Sequence, residues 1–267
     1  MDWTFARRLI NLTLMAFMVI VLAYLVLPML VIVPLSFSDG KYLNFPPEAY
    51  STRWYSKIWS SQYPVALVNS LKIGLPSAFI AVTVGTLAAL GVVRGKPRHA
   101  RFISGLIIAP FTLPQIILAI GLVGVFAKFN LVGTYWAAIL GHSVASTALV
   151  FLSVSASLRS YDPSFEMAAM TLGANWWKTF WYVTFPMIRM GMLVGGILAF
   201  SFSFDEIILA LFLTSSQTIT LPKQLYSELR FNVTPLIASV SVIIVALSLL
   251  FLGLVALIQM RSRRNAQ

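Results

Sequence analysis

The chain has 267 residues, of which 59% are hydrophobic and only 10% are charged, whereas an ordinary soluble domain carries about 25% charged residues. These values exclude a soluble globular protein, and without cysteine the chain has neither a disulfide framework nor a thiolate metal site. A net charge of +11 would suit a nucleic-acid-binding protein, but the basic residues lie in short segments between apolar runs, as in membrane proteins.

Six long apolar runs predict six membrane-spanning helices. A helix needs about 20 mainly apolar residues to cross the bilayer core, so this length has room for about six spans with short connections. The last run is apolar on every side, unlike the alternating strands of a transmembrane β-barrel. We therefore predict an all-α membrane protein with a single transmembrane domain over residues 1–267. Its predicted spans are residues 9–36, 67–93, 103–127, 135–158, 191–213 and 235–259.

Prolines interrupt the predicted first and third spans. Pro28 and Pro34 lie in the first, and Pro110 and Pro114 lie in the third. A proline inside a helix frees a backbone carbonyl, which is tolerated at membrane depth where it faces protein or a cavity. Two interpretations stay open, simple kinks and a helix break beside a transport path.

The segment after the first span, residues 36–64, is rich in aromatic side chains. Such residues are typical of anchors at the level of the lipid headgroups, and this is our prediction for most of them. A docking surface for an external partner is the alternative. The residues concerned are Tyr42, Phe45, Trp54, Tyr55, Trp59 and Tyr63.

The distribution of Lys and Arg predicts the orientation of the chain in the membrane. Residues 1–8, 94–102, 159–190 and 260–267 contain 12 of these basic residues, and the alternate segments contain 6. Because basic residues concentrate on the cytoplasmic side, we predict that the first set of segments and both termini are cytoplasmic.

Residues 159–190, the longest predicted cytoplasmic segment, have the pattern of two short amphipathic helices. Asp162 and Pro163 are typical of a helix start, and Gly173 is typical of the residue that follows a helix end. Between them, apolar residues recur at helical spacing. These residues are Phe165, Ala168, Ala169 and Leu172.

The second short helix is predicted to start at Asn175, whose side chain can cap it. Trp176, Phe180 and Val183 would share one of its faces, and Pro186 would end it before the fifth span. Two such helices need an apolar surface to cover them. They either lie along the membrane interface or dock onto a cytoplasmic partner.

The residues of this loop resemble the E-A-A-x-x-x-G-x9-I-x-L-P loop of ABC importer permeases. Ala168, Ala169 and Gly173 match its first part, and Val183 and Pro186 follow at its spacing. In that family the loop forms coupling helices that insert into a cleft on the ATP-binding subunit. The resemblance implies this coupling role for Glu166, Ala168, Ala169, Leu172, Gly173, Phe180, Val183 and Pro186.

The loop departs from the motif at its glutamate. Counting back from Gly173, the glutamate position is occupied by Met167, and Glu166 precedes it by one residue. Many relatives carry two consecutive glutamates here, so this chain resembles one that kept the first and lost the second.

Shorter stretches along the chain resemble the spermidine/putrescine-type permeases of the same family. They include Phe45-Pro46-Pro47, Asn69-Ser70-Leu71, Leu113-Pro114 and the segment from Ser203 to Ile208. The resemblance implies a bacterial inner-membrane permease subunit that acts with a second permease, two ATP-binding subunits and an external solute-binding protein. ATP and Mg²⁺ would bind to the partner subunits, and this chain would have no catalytic residue, cofactor, metal or bound nucleic acid.

Asp205 and Glu206 are the only acidic residues in any predicted span. A carboxylate at the centre of a membrane helix costs about 2.5 to 3.5 kcal/mol on insertion scales, which makes it a candidate functional residue. Adjacent helical residues point about 100° apart, so one acid could line a path while the other forms a structural pair or caps a helix break. Together with Ser203 they form the predicted path for a small cation such as putrescine or spermidine.

Two alternatives stay open. An ABC permease could carry another small solute, such as iron, an inorganic oxyanion or an amino-acid-like compound. Outside that family, a self-sufficient secondary transporter would be expected to show inverted repeats, and none is visible in the sequence.

Overall fold

The computed structural model describes residues 3–231 and 233–246, and this part of the chain contains helices and no β-strand. The prediction of an all-α protein is therefore confirmed for the described residues. The elements are α1 (Trp3–Ser36), α2 (Arg53–Trp59), α3 (Tyr63–Val93), α4 (Ala100–Thr112), α5 (Gln115–Ala127), α6 (Tyr135–Ser160), α7 (Ser164–Thr171), α8 (Trp176–Thr179), a π-helical turn (Phe180–Thr184), α9 (Phe185–Asp205), α10 (Ile208–Leu213), α11 (Leu221–Phe231) and α12 (Pro235–Ala246).

Four helices in the described part are individually long and apolar enough to cross a membrane, and α4 with α5 makes a fifth if the pair is one broken span. The predicted fifth span, 191–213, is divided between α9 and the short helix α10. The predicted sixth span is described as far as Ala246, and the rest of it lies outside the described residues. The four uninterrupted candidates are Ile10–Ser36, Tyr63–Val93, Tyr135–Ser160 and Trp176–Asp205.

The predicted third span is broken rather than continuous. The axes of α4 and α5 meet at 99°, because Leu113 leaves the helical conformation with a ψ of 147° immediately before Pro114. A proline disfavours the helical conformation of the residue before it. Of the two interpretations left open by the sequence, a helix break holds at Pro114, whereas Pro28, Pro34 and Pro110 lie inside helices.

The chain forms two compact units, one of which combines the residues up to Pro64 with those from Ser227 onward. The apolar side chains of its α1 are exposed from Ile10 to Leu30. At the end of α1, the hydroxyl group of Ser36 lies 2.8 Å from that of Tyr55, and its carbonyl accepts a hydrogen bond from Ser239 at 2.8 Å. These contacts fix the end of the first helix within the unit.

The predicted aromatic anchors after α1 differ in burial, and Tyr55 is half-buried. Trp54 and Tyr63 are buried, which corrects the prediction for these two residues. Tyr42, Phe45 and Trp59 are exposed, as anchors or contacts for an external partner must be. The sequence could not distinguish the buried from the exposed aromatic residues, because their burial depends on how α2 packs in the folded chain.

The second unit, Val65–Tyr226, is built around α6, which packs closely along α9. Gly191 and Gly195 allow this approach. A β-carbon at Gly191 would collide with the Ser157 hydroxyl, and one at Gly195 would lie 2.9 Å from the Val150 Cα. The spacing of these two glycines therefore brings two helices together, as small-xxx-small pairs do in membrane proteins.

Candidate functional site

The first helix of the predicted coupling loop is α7, and its start is fixed by Asp162. The carboxylate of Asp162 accepts a hydrogen bond from the backbone N–H of Ser164 at 2.9 Å. This contact satisfies one of the donors that a helix start leaves unpaired. The helix therefore begins within a residue of the predicted position.

Gly173 follows Leu172, the C-cap residue of α7, and has the left-handed conformation with a φ of +86°. Its N–H donates to the Met170 carbonyl, and the Ala174 N–H donates to the Ala169 carbonyl, each at 3.0 Å. This pair of bonds is a Schellman motif, which usually requires glycine. A β-carbon here would meet no atom within 4 Å, so the requirement concerns the backbone conformation and not the available space.

Asn175 caps the second short helix as predicted, because its side chain accepts a hydrogen bond from the Lys178 N–H at 2.9 Å. The Trp176 and Phe180 rings then stack with their centroids 5.9 Å apart. The two residues therefore share a face, in agreement with the sequence analysis.

Pro186 does not end this helix, contrary to the prediction. The chain continues without a break from Trp176 to Asp205. A π-helical turn precedes the proline, and in it the Phe185 N–H donates to the Phe180 carbonyl. In an α-helix, a proline clashes with the carbonyl four residues earlier and donates no hydrogen bond. The π-helical turn hydrogen-bonds residues five apart, so it changes the backbone hydrogen bonds just before Pro186.

The apolar stripe of α7 has no cover within the described part of the chain. Phe165 is 54% exposed and Leu172 is 88% exposed, while Ala168 is exposed and Ala169 half-buried. On the second helix, Phe180 and Val183 are half-buried. An exposed apolar stripe of this kind is typical of a surface that a partner covers.

Glu166 points into the unit instead of outward. Its carboxylate accepts hydrogen bonds from Arg94 Nε at 3.1 Å, from Thr184 Oγ1 at 3.0 Å and from the Tyr161 hydroxyl. The Arg94 guanidinium also lies over the Tyr161 ring, 4.6 Å from its centroid. Burial, followed by the hydrogen bond to Glu166, raises the pKa of Tyr161, which keeps it a neutral donor. Glu166 thus fastens α7 to the end of α3 and to the π-helical turn.

The two adjacent acids are separated by the helix break that follows α9. Glu206 caps α10, because its carboxylate accepts hydrogen bonds from the N–H groups of Ile208 at 2.8 Å and Leu209 at 3.1 Å. Asp205 is exposed, and within the described residues its carboxylate has no hydrogen bond or ion pair. Glu206 is therefore the acid that caps a helix break, and Asp205 is the free acid.

A cation caps the other end of α10. The Lys223 ammonium group donates to the Thr214 carbonyl at 2.7 Å and to the Thr214 hydroxyl at 3.0 Å. Burial lowers the pKa of Lys223. An acid at the start and a cation at the end both complement the helix dipole. Sequence reasoning did not single out Lys223, because the short helix that it caps is not visible in the apolar pattern.

The segment after α10 is held by the starts of α3 and α6. Asn69 donates from its side-chain amide to the Gln217 and Ile219 carbonyls, at 3.1 Å each, and accepts a hydrogen bond from the Tyr135 hydroxyl at 2.6 Å. Ser70 accepts one from the Leu221 N–H at 2.8 Å. Asn69 and Ser70, which the sequence analysis noted only as part of a resemblance, therefore position the segment between α10 and α11.

Ser203 is buried and does not share the exposed position of Asp205. It is 4% exposed, and its hydroxyl lies 2.8 Å from Nδ1 of His142, which is fully buried. The predicted path role of Ser203 is corrected to a contact between α9 and α6. Its partner is His142, which was not among the predicted functional residues.

Comparison with known proteins extends these observations. Residues 81–264 match the family described as "Binding-protein-dependent transport system inner membrane component". Over 232 residues the chain is 34% identical to the putrescine transport system permease protein PotI of Escherichia coli (strain K12), covering 83% of this chain and 81% of PotI. It is 27% identical over 251 residues to the spermidine/putrescine transport system permease protein PotC of Haemophilus influenzae, covering 94% and 96%.

A relative of different specificity has a similar identity. The chain is 27% identical over 216 residues to the molybdenum transport system permease protein ModB of Mycobacterium bovis, covering 75% of this chain and 82% of ModB. Among solved structures, a chain of a bacterial ABC transporter involved in the import of the acidic polysaccharide alginate superposes with a TM-score of 0.73. That match covers 95% of this chain and 96% of the other at 16% identity, so it shows a shared fold.

Proposed function

The chain belongs to the family of binding-protein-dependent transport system inner membrane components, and from this membership we propose that it forms half of the transmembrane path of an ATP-driven polyamine importer. Membership itself makes the chain a multi-pass permease of the bacterial inner membrane and not an enzyme. The observation that carries the polyamine assignment is the 34% identity with PotI. The partners in the proposal are a second permease, two ATP-binding subunits that hold ATP and Mg²⁺, and an external solute-binding protein.

The free carboxylate of Asp205 supports a cationic substrate. It is exposed at a helix break, where an ammonium group could approach it, whereas Glu206 is engaged in capping α10. Identity alone does not fix the substrate, because PotC and ModB are each 27% identical to this chain. An inorganic oxyanion would be repelled by an unpaired acid, so the charge at this position favours the polyamine.

We expect Asp205→Asn to reduce putrescine uptake about tenfold without lowering thermal stability, since an ionic contact with the substrate is worth about 1.5–3 kcal/mol at most in a hydrated path. The matched control is Glu206→Ala, which removes the cap and should cost about 1 kcal/mol of stability. Uptake in proteoliposomes and thermal melting of the same preparations measure both effects. Wild-type polyamine uptake by Asp205→Asn would remove Asp205 from the path.

The coupling role is proposed for α7 and α8, with the exposed α7 stripe and the glycine end of α7 as support. In this proposal the ATP-binding subunit covers Phe165, Ala168 and Leu172, which have no cover within the described chain. Ala169, Gly173, Phe180, Val183 and Pro186 complete the proposed coupling surface. Glu166 acts from behind it, by joining α7 to Arg94.

Six spans with cytoplasmic termini remain our proposal for the topology. Contacts within the second unit support it. The start of α4 lies beside Arg94 and Tyr161, while the segment after α5 contacts the end of α10 through the Gly133 N–H and the Leu213 carbonyl. The bent pair α4–α5 thus connects opposite ends of the unit.

Cysteine labelling tests this topology, because the natural chain contains no cysteine. We expect a membrane-impermeant maleimide to label Lys128→Cys and Ser216→Cys from outside intact cells, and His99→Cys only after the inner membrane is opened. All three positions are exposed in the structure. If His99→Cys and Lys128→Cys are labelled from the same side, α4 and α5 form a re-entrant loop and the six-span proposal is wrong.

A further inference from the structure

A cavity of about 740 Å³ opens where α3 and α6 end and α4 begins. Three membrane helices therefore have their termini around one space, on the side of the unit that carries the coupling loop. Helix termini of this kind lie at the level of the lipid headgroups.

The cavity is basic. Arg94, Lys96, Arg101 and Arg159 line it, and none of its lining residues is acidic. Arg94 is paired with Glu166, yet its Nη2 atom has no hydrogen-bond partner in the described chain. No ion pair is present for the other three cations within the described residues. Three uncompensated cations around one space create a site for an anion.

The same cavity has an apolar wall that continues onto the outer surface of α4. Val93, Ile108 and Leu158 contribute to the wall. On the neighbouring face of α4, Phe102 and Leu106 are 67% and 58% exposed. A ligand with both an anionic group and an apolar chain could contact the basic residues and the apolar wall together. A small inorganic anion would contact only the basic residues.

We propose that this cavity binds one anionic phospholipid, with the headgroup phosphate held by Lys96, Arg101 and Arg159 and an acyl chain against α4. Basic spaces between membrane helices on the cytoplasmic side are suited to such headgroups. Assignment to the inner leaflet rests on the topology proposed above, whereas lipid binding itself does not depend on an importer function. The cavity also borders Tyr161 and Pro163, so the lipid lies beside the start of the coupling loop.

Native mass spectrometry of the protein, purified in mild detergent with the subunits that accompany it, tests the proposal. After delipidation the preparation is titrated with phosphatidylglycerol and with phosphatidylcholine of the same acyl chains. Phosphatidylglycerol is expected to bind at one molecule per chain, on the order of tenfold more tightly than to the variant Arg101→Gln/Arg159→Gln. The control, Arg98→Gln/Arg189→Gln, removes the same charge from exposed residues outside the cavity and should bind as the wild type does.

Three results would overturn the proposal. Equal phosphatidylglycerol binding by the wild type and both variants would show that the cavity is not the site. Displacement of the lipid by millimolar inorganic phosphate would identify a small-anion site. Loss of the accompanying subunits from Arg101→Gln/Arg159→Gln, with lipid binding unchanged, would identify a protein interface. If that variant does not fold, Lys96→Gln/Arg101→Gln replaces it in the same titration, with the same expected result. None of these readouts uses transport, so a failure here is distinct from a failure of the proposed function.

Discussion

Replacing Gly173 by valine is expected to abolish ATP-driven uptake, while replacing it by asparagine should preserve a substantial part. A β-branched residue resists the left-handed backbone at this position, at a cost of about 1–2 kcal/mol, and the Schellman motif that ends α7 would be lost. Asparagine tolerates the left-handed conformation better. Because a β-carbon meets no atom within 4 Å here, the comparison isolates the backbone conformation from steric crowding.

Uptake by proteoliposomes and co-purification of the ATP-binding subunit measure the effect of these two variants. Ala174→Val is the control, since this neighbour carries a β-carbon and has no left-handed backbone. Equal uptake by Gly173→Val and the wild type, with the ATP-binding subunit retained, would exclude the end of α7 from coupling.

The second large effect is expected at the ion pair that fastens α7. Glu166→Gln should lower both stability and uptake, because it leaves the mostly buried Arg94 guanidinium without its anion. Loss of a hydrogen bond to a charged group is worth about 1.5–3 kcal/mol. The effect would reach the coupling loop, since the same carboxylate accepts hydrogen bonds from Tyr161 and Thr184.

A double-mutant cycle tests whether the pair acts as a unit. Glu166→Gln, Arg94→Gln and the double variant are compared by thermal melting and by uptake, and the double variant should be little worse than either single one. Asp162→Asn is the control, because this neighbouring acid caps α7 without an ion pair. Additive losses in the double variant would show that Glu166 and Arg94 act separately.

Local features of the proposed coupling loop were predictable from the sequence. Asp162, Gly173 and Asn175 mark the helix starts and the helix end, and the hydrogen bonds that they make there join residues no more than three positions apart. Residue type and spacing are therefore sufficient to predict them. The apolar stripe of α7 followed from periodicity for the same reason.

Contacts between distant segments were not predictable. Glu166 and Arg94 are 72 residues apart, and His142 and Ser203 are 61 apart, so no local pattern pairs them. The interpretation of Pro186 as a helix end was wrong, because no particular amino-acid composition marks the π-helical turn that precedes it. The break at Pro114 stayed ambiguous, since the same residue is compatible with a kink and with a bend of 99°.

ATP-driven polyamine import is tested by the uptake of labelled putrescine into proteoliposomes reconstituted with this chain and the subunits that purify with it. We expect accumulation that requires ATP on the cytoplasmic side and the external solute-binding protein, that persists when ion gradients are dissipated, and that molybdate does not inhibit. Accumulation driven by an ion gradient without ATP would contradict the importer assignment. ATP-driven uptake of molybdate in place of putrescine would contradict the polyamine assignment alone.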